Sequence, residues 1–204
     1  MKQSVRIVTV YFKLFMFNKD LLVFDLEATG LDFRKHEIIQ IGCVRLDRDT
    51  LEEVDSWMSY VRPTHWENAD PESLAVNHIT WEQLEDAPSA AEMLSVMTTR
   101  FSPKDVLLSG YNLIFDVPFL KATFWSQELP YAYDYHAFDI FPMVYWYLNT
   151  IGALPKPEKF VGFNLSDATR ALGIEASGFH DALVDARVTA EIIRKLMDKI
   201  ETKK

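Results

Sequence analysis

The stretch VFDLEATGLD, residues 23–32, begins as a buried strand and then places two acids, Asp25 and Glu27, two positions apart. Side chains at i and i+2 of a strand point to the same side of a sheet. We therefore expect the two carboxylates to lie together, while Phe24 and Leu26 face the other way. Two close anions repel each other unless a positive charge lies between them. The pair indicates a site for a hard divalent cation, which prefers oxygen ligands, and a solvated strand end is the alternative.

Composition and charge limit the function classes. A chain of 204 residues, 49% hydrophobic and 25% charged, suits one domain with a substantial core. The formal charge of −9 argues against broad coating of DNA or RNA, but it allows an enzyme that grips one end of a strand. A single cysteine, Cys43, excludes an internal disulfide framework and a Cys-based zinc site. It also favours a reducing, cytoplasmic location.

The first seventeen residues, MKQSVRIVTVYFKLFMF, have the basic start and apolar middle of a secretion signal. Arg6 and Lys13 interrupt the apolar run, and no small-residue cleavage site follows. The run is also shorter than the ~20 apolar residues of a membrane span. We therefore predict an N-terminal arm or extra segment at residues 1–17, one domain at residues 18–204, and no membrane association. An interfacial anchor is the weaker alternative.

Hydrophobic patterning and turn residues predict an α/β fold on one mixed sheet, with strands first and helices afterwards. The first three strands should be antiparallel neighbours, because short turn signals separate them. The predicted strands cover residues 21–28, 37–47, 52–63 and 105–112. The predicted helices cover residues 70–80, 89–101, 115–129, 141–149, 164–174 and 181–200, with a long surface connection at 155–159.

Helix ends and one helix face can also be predicted. Asp70 is placed as an N-cap with Pro71 at the first helical position, and Asn164 as the cap of the helix that follows it. The last helix carries apolar residues at steps of four and three, the pattern of a core-facing stripe. These core positions are Ala186, Ala190, Ile193, Met197 and Ile200.

Three further polar residues lie at the ends of predicted elements. Asp116 directly follows a buried strand, with Asn112 across the same turn, although an acid at a first helical turn is also a common helix-capping feature. His180 lies just ahead of the last helix. Asp185 lies in its first turns and should border the core. With Asp25 and Glu27, the chain carries four acids and one histidine at element ends.

These motifs resemble the exonuclease family of proofreading subunits and ribonuclease T, in the DEDDh branch of 3′-5′ exonucleases, which has four acids and a histidine. The resemblance runs from about residue 18 to about residue 200, with the motifs in the same order and at similar spacing. The first motif is matched by Asp25, Glu27, Thr29 and Gly30, the second by Asn112, Phe115 and Asp116, and the third by His180, Ala182, Asp185 and Ala186.

The resemblance implies a ribonuclease H-like fold and a 3′-5′ exonuclease. Such an enzyme releases nucleoside 5′-monophosphates from single-stranded or frayed 3′ ends of DNA or RNA, using two Mg²⁺ or Mn²⁺ ions about 3.5–4 Å apart. It implies that Asp25 bridges both ions, that Glu27 and Asp185 complete the site of the attacking water, and that Asp116 holds the second ion. His180 would take the proton from that water. The implied substrate contacts are at Ala28, Thr29, Gly30, Leu31, Asn112 and Phe115.

Two features depart from the family pattern. Ala28 stands where many members carry a second threonine, which bears on a side-chain contact to the terminal nucleotide and not on the metal site. The sequence ends at Lys204, whereas replicative proofreading subunits usually extend further to hold their polymerase. The sequence therefore predicts no C-terminal tether, and it leaves open both a polymerase partner and the oligomeric state, a homodimer included.

Two other function classes remain as alternatives. One is a binding module that recognises a nucleic-acid end or a protein without cleaving, and the other is a ribonuclease H-like endonuclease. Among the remaining residues, Cys43 is expected in the core, and the other histidines lack metal-ligand spacing, so surface or capping roles are expected for His36, His65, His78 and His136. Core positions are favoured over base stacking for Phe124, Trp125, Tyr145, Trp146 and Tyr147.

Overall fold

A five-stranded mixed sheet forms the centre of the fold. The computed structural model describes residues 17–154 and 163–201. The strands are β1 (Asp20–Ala28), β2 (Ile38–Leu46), β3 (Glu53–Tyr60), β4 (Val106–Gly110) and β5 (Phe138–Asp139), in the spatial order β3-β2-β1-β4-β5. The first three strands are antiparallel neighbours, and β4 and β5 run parallel to β1. The predicted α/β class, mixed sheet and antiparallel start are confirmed.

Helices cover both faces of this sheet. They are α1 (Pro71–Asn77), α2 (Trp81–Leu84), α3 (Ala90–Arg100), α4 (Asp116–Ser126), α5 (Phe141–Thr150), α6 (Leu165–Ala171) and α7 (Ala182–Glu201). A short 3-10 helix, Trp66–Asn68, precedes α1. Among the described residues, no helix combines the length and apolar character that crossing a membrane requires.

The alternation of β1 separates two cores. Leu22, Phe24 and Leu26 pack with α3 and α4 on one face of the sheet. Leu21 and Val23 pack with α5, α6 and α7 on the other face. The odd-numbered positions of β1 therefore face α7, and Asp25 and Glu27 continue that row beyond the apolar residues.

Helix α7 lies very close to β2. Gly42 pairs with Asp25 across the two strands, and a Cβ atom added to Gly42 would lie 2.2 Å from the carbonyl carbon of Ala182. Ala182 and Ala186 are fully buried. Because these residues have little or no side chain, the start of α7 can rest on the sheet beside the acids. The predicted core stripe is confirmed for Ala186, Ala190, Ile193 and Met197, and the side chain of Ile200 lies outside the described residues.

Local capping explains several boundaries that differ from the predictions. Asp70 caps α1 as expected, accepting from the Glu72 N–H at 3.0 Å. The helix predicted to residue 80 ends at Asn77, because His78 adopts a left-handed conformation with φ of 58°. Thr80 and Gln83 then form a capping box that starts α2, a helix that the sequence did not predict.

Two more differences concern strands. Strand β5 was not predicted, because it consists of only two residues whose backbone pairs with Ser109 and Gly110. The strand predicted over 105–112 ends at Gly110, since Asn112 takes a left-handed φ of 65° in the turn that follows. Asn164 caps α6 as predicted, accepting from the Asp167 N–H at 2.9 Å. The predicted arm up to residue 16 and the connection at 155–159 lie outside the described residues.

The close approach of α7 to β2 predicts the effect of adding one methyl group. Gly42→Ala should lower the free energy of unfolding by about 1–3 kcal/mol, because the methyl group meets helix backbone that cannot rotate away. Denaturant unfolding followed by circular dichroism measures the change. Gly30→Ala is the comparison, since the three nearest atoms to its added methyl group all belong to the side chain of His36 and none to backbone. An equal loss from both substitutions would contradict the proposed role of Gly42.

Candidate active site

The strand carboxylates lie at the end of β1 where its pairing with β2 becomes irregular. Glu27 pairs with Gln40, but Ala28 pairs with Ile38, so a β-bulge follows Glu27. Phe24 and Leu26 are buried on the opposite face. The prediction that the two acids share one face, away from Phe24 and Leu26, is confirmed. Bulges are frequent beside active sites, where they re-aim side chains.

Asp116 reaches the same region from the neighbouring strand. It is the first residue of α4 and is only 5% exposed. Asp139 on β5 shapes the turn before it, because its carboxylate accepts from the N–H groups of Asn112 at 2.9 Å and Leu113 at 3.1 Å. Since β1, β4 and β5 are parallel, their carboxyl ends meet at one edge of the sheet. This edge brings Asp116 close to the β1 acids.

His180 and Asp185 approach from α7. His180 has a left-handed φ of 70°, and its backbone N–H donates to Asp185 Oδ2 at 3.1 Å. The other carboxylate oxygen, Asp185 Oδ1, is buried and has no hydrogen-bond partner among the described residues. Asp185 was expected at the border of the core, but it is 7% exposed and therefore buried. The reason is that α7 starts directly on the sheet.

The predicted catalytic residues come together in space. Glu27, His180 and Asp185 each present one nitrogen or oxygen atom within 4.8 Å of the others. The negative charges of Asp116, Asp185 and Glu27 all raise the pKa of Asp25. The carboxyl group of Asp25 therefore belongs to the same cluster. Residues that are up to 160 positions apart in the chain thus form one cluster, as residues 25 and 185 illustrate.

Burial and mutual repulsion raise the pKa values of these acids. Burial raises the pKa of Asp25 well above its ordinary value, and nearby carboxylates raise it further. Burial and the charges of Asp185 and Asp181 raise the pKa of Glu27 to about 7, although a hydrogen bond from Asn77 opposes the shift. Burial likewise raises the pKa of Asp116. It also raises the pKa of Asp185 to about 6, although the hydrogen bond from the His180 backbone opposes this shift.

This donor set fits a divalent cation. Carboxylate oxygens are the ligands that Mg²⁺ and Mn²⁺ prefer, and the buried oxygen of Asp185 lacks a partner among the described residues. Four carboxyl groups with raised pKa values in one place also create a negative potential that a cation would relieve. Asp25, Glu27, Asp116 and Asp185 are the residues that would hold it.

An open cleft of about 420 Å³ leads to the cluster. Helix α1 forms one wall and is tied to β1 at both ends, because the Asp70 N–H donates to the Thr29 carbonyl and the Asn77 amide donates to the Ala28 carbonyl. Among the described residues that line the cleft, five are acidic and none is Lys or Arg. These acids would repel a phosphate unless cations neutralised them. The five acids are Asp25, Glu27, Asp70, Glu72 and Asp185.

The predicted substrate-contacting residues divide into two groups. Ala28, Gly30, Leu31 and Phe115 line the cleft. Thr29 is buried, and its hydroxyl accepts from the Glu37 N–H at 3.0 Å. Asn112 is exposed and is not part of the cleft wall. The structure thus assigns Thr29 a local structural contact and leaves Asn112 at the turn before Asp116.

Several other predictions can be compared with the structure. Cys43 is buried, which raises the pKa of its thiol, and His78 caps the end of α1, so both predictions are confirmed. Phe124 is in the core, but Trp125 is 62% exposed and Trp146 is 64% exposed. The core prediction is wrong for these two tryptophans and for Tyr145, which is also exposed, because α4 and α5 each cover the sheet with one side only.

Two residues that help to build the site were missed by sequence reasoning. Asp139 holds the turn before Asp116, and the only signal was an isolated acid between apolar residues in HAFDI. Asn77 is buried beside Glu27 at the end of α1, and no pattern in the sequence marked it.

A larger cleft of about 670 Å³ lies on the other side of the sheet, between β3 and α3, with Trp57 and Met93 in its wall.

Comparison with known proteins agrees with this geometry. The model of the RNase_T exonuclease family matches residues 22–193. A PolC-type DNA polymerase III of Thermotoga maritima is 27% identical over 180 residues, which are 88% of this chain and 12% of the relative. The DNA polymerase III subunit epsilon of Treponema pallidum is 27% identical over 175 residues, or 85% of this chain and 74% of the relative.

Solved structures give the same fold. E. coli exonuclease I in complex with a dT13 oligonucleotide superposes with a TM-score of 0.77 at 22% identity, covering 91% of this chain and 42% of that chain. The mixed sheet and its flanking helices have the ribonuclease H-like fold of these exonuclease structures. This chain belongs to the exonuclease family, in the DEDDh branch with four acids and a histidine. It spans only 12% of the PolC-type relatives' length.

The raised pKa values predict how the metal-free protein responds to pH. An unfolded glutamate titrates near ~4.3, whereas Glu27 titrates at about 7 in the folded protein. The stability contributed by this group is therefore present below pH ~4 and is lost as the pH rises through about 7. In EDTA, the free energy of unfolding should fall between pH 5 and pH 8, as measured by urea titration.

Glu27→Gln should weaken this pH dependence and raise the stability at pH 8 by on the order of 1–3 kcal/mol. The control is Glu52→Gln, an exposed acid outside the cleft, which should leave the profile unchanged. Adding Mg²⁺ at pH 8 should stabilise the wild-type protein more than the Glu27 variant. A flat profile for the wild-type protein in EDTA would contradict the assigned repulsion.

Proposed function

We propose that this protein is a metal-dependent 3′-5′ exonuclease that releases nucleoside 5′-monophosphates from single-stranded or frayed 3′ ends of DNA or RNA. The observation that carries the proposal is the convergence of Glu27, His180 and Asp185 within 4.8 Å, next to Asp25 and Asp116. Membership of the exonuclease family supports it. The oligonucleotide bound to the structurally similar E. coli exonuclease I supports a nucleic-acid substrate.

The proposed reaction is hydrolysis of the last phosphodiester. Asp25, Glu27, Asp116 and Asp185 would hold two Mg²⁺ or Mn²⁺ ions, with Asp25 as the residue shared between them. When bound, such ions stabilise the attacking and leaving oxygens of the displacement. His180 removes a proton from the attacking water, whose oxygen bonds to phosphorus while the bond between phosphorus and O3′ breaks. The leaving O3′ takes up a proton from solvent, so the shortened strand ends in a 3′-hydroxyl group.

The cleft suits the end of a strand better than a duplex surface. Leu31 and Val76 are exposed apolar residues on its wall, and Phe115 completes an apolar side. These surfaces can contact a terminal base without reading its sequence, because every base has an apolar face. The absence of Lys and Arg from the described cleft wall means that divalent cations supply the contact to phosphate.

The proposal extends to organisation and partners. Residues 18–204 would form the exonuclease domain, and residues 1–17 an N-terminal arm or extra segment whose last residue, Phe17, packs into the core. The match to DNA polymerase III proteins supports a polymerase as a partner. The buried, unpaired Cys43 suits a cytoplasmic location.

The experiment that tests the activity is a digestion series. DNA and RNA oligonucleotides labelled at the 3′ or 5′ end are incubated in Mg²⁺, Mn²⁺ or EDTA, together with a circular single strand. We expect immediate release of the 3′ label as a mononucleotide in Mg²⁺ or Mn²⁺, and none in EDTA. Cleavage of the circle would identify an endonuclease. Binding without cleavage in either metal would identify a binding module.

Asp25→Asn should reduce cleavage to the level of a control without enzyme, even in saturating Mg²⁺, because the shared ligand is lost. The folded state should survive in EDTA, since the substitution removes a buried carboxyl group whose pKa is raised by burial and neighbouring charges. Rates per folded molecule and thermal unfolding measure the two effects. Asp105→Asn, an exposed acid ahead of β4, is the charge-matched control. Near-normal turnover by Asp25→Asn would remove Asp25 from the site.

His180→Ala should slow cleavage by about 10²-fold or more, because a general base is lost, while metal and oligonucleotide binding persist. Single-turnover rates per folded molecule and equilibrium binding of the oligonucleotide in Mg²⁺ measure the two effects. His136→Ala replaces an exposed histidine outside the cleft and should behave like the wild-type protein. An unchanged rate in His180→Ala would assign His180 a packing role only.

A further inference from the structure

A buried amide lies at the junction between β2 and α7. Gln40 is 1% exposed in a strand whose neighbours are the apolar residues Ile39 and Ile41. Burying an amide is unfavourable unless its donor and acceptor both find partners. Both are satisfied here: the Ala182 N–H donates to Gln40 Oε1 at 2.9 Å, and Gln40 Nε2 donates to Asp181 Oδ2 at 3.1 Å.

These bonds complete the start of α7. The first N–H groups of a helix have no partner within the helix. Asp181 Oδ1 accepts from the N–H groups of Leu183 and Val184, both at 3.1 Å, and Gln40 accepts from that of Ala182. Gln40, a residue of the sheet, thus caps the N–H group of Ala182. It also holds the Asp181 side chain, which caps the N–H groups of Leu183 and Val184.

The position of this contact ties it to the acids. Gln40 pairs with Glu27 across β1 and β2, and Gly42 pairs with Asp25. Gly42 lets the backbone of Ala182 approach the sheet, but it donates no side-chain bond that would fix the helix along the strand. The directional bonds come from Gln40. His180 and Asp185 lie on either side of this contact in the chain. They are joined by the hydrogen bond from the His180 N–H to Asp185 Oδ2.

We propose that Gln40 is a positioning residue of the active site, whose buried amide locks the start of α7 against β2 opposite Glu27 and so sets His180 and Asp185 against the strand carboxylates. This inference rests on the proposed exonuclease function. Gln40 touches neither substrate nor reacting atoms. It acts through Asp181 and Ala182, and loss of such a supporting contact typically costs 10–100-fold in activity or metal affinity.

Gln40→Met tests the inference, because methionine has a similar length and lacks both hydrogen-bonding groups. Steady-state rates on a 3′-labelled DNA oligonucleotide are measured per folded molecule over a series of Mg²⁺ concentrations. We expect kcat to fall ~10-fold or more and half-maximal activity to require more Mg²⁺. KM for the oligonucleotide should change little, because the cleft walls formed by α1 and Leu31 are untouched.

Val44→Ala is the matched control for lost stability. Val44 lies on the same face of β2, two residues beyond Gly42, and is buried against α7 in the core. It should lower the unfolding temperature but leave kcat and the Mg²⁺ requirement per folded molecule unchanged. Equal kcat values for Gln40→Met and Val44→Ala would overturn the proposal.

A reciprocal exchange provides a rescue, and it also serves if Gln40→Met does not fold. Gln40→Glu alone sets a second carboxylate against Asp181 and should lower kcat. In Gln40→Glu/Asp181→Asn, the new carboxylate at position 40 accepts from the new amide at position 181 and from the Ala182 N–H. The double variant should recover most of the lost kcat, a coupling that independent sites do not show. Additive losses would overturn the proposal.

Failure of the proposed function gives a different result. If the wild-type protein does not cleave in Mg²⁺ or Mn²⁺, the exonuclease proposal is wrong before any variant is compared. Amide hydrogen exchange then decides the positioning. Faster exchange at Ala182 and His180 in Gln40→Met than in Val44→Ala supports the lock between β2 and α7, and equal exchange overturns it.

Discussion

Repulsion among buried carboxylates is the constraint on which this structure depends. The charges of Asp116, Asp185 and Glu27 all raise the pKa of Asp25, and burial raises the pKa of all four acids. Such a cluster weakens the metal-free fold near neutral pH. The surrounding structure tolerates it because two packed cores stabilise the sheet from both faces. The same repulsion would favour the binding of a cation at this site.

Each acid is held by a different kind of support. The β-bulge after Glu27 ends the regular pairing of β1 and β2 beside the strand acids. Asp139 shapes the turn that leads to Asp116. The caps of α7 hold Asp185 through Gln40 and Asp181. Because these supports come from separate elements, the site forms only when the whole domain has folded.

The acidic cleft also bears on the proposed action of a protein with a formal charge of −9 on an anionic polymer. Five acids line the cleft without a basic residue among its described walls, so attraction to phosphate would have to come from bound divalent cations. Contacts to the strand end can then be mainly apolar, through Leu31, Val76 and Phe115. This arrangement favours contact with a few nucleotides at one end of a strand over binding along its length.

The sequence alone determined the class of fold, the strand pair of acids and the family. The two-residue period places Asp25 and Glu27 on one face, and local motifs fix Asp116, His180 and Asp185 at element ends. Gln40, Asn77 and Asp139 escaped notice, because single polar residues inside apolar stretches carry no periodic signal. Only the tertiary structure decided that Asp185 is buried, that Thr29 bonds to Glu37, and that α1 forms a wall of the cleft. These features depend on contacts between elements distant in the chain, such as Gly42 against Ala182, and no local pattern encodes such contacts.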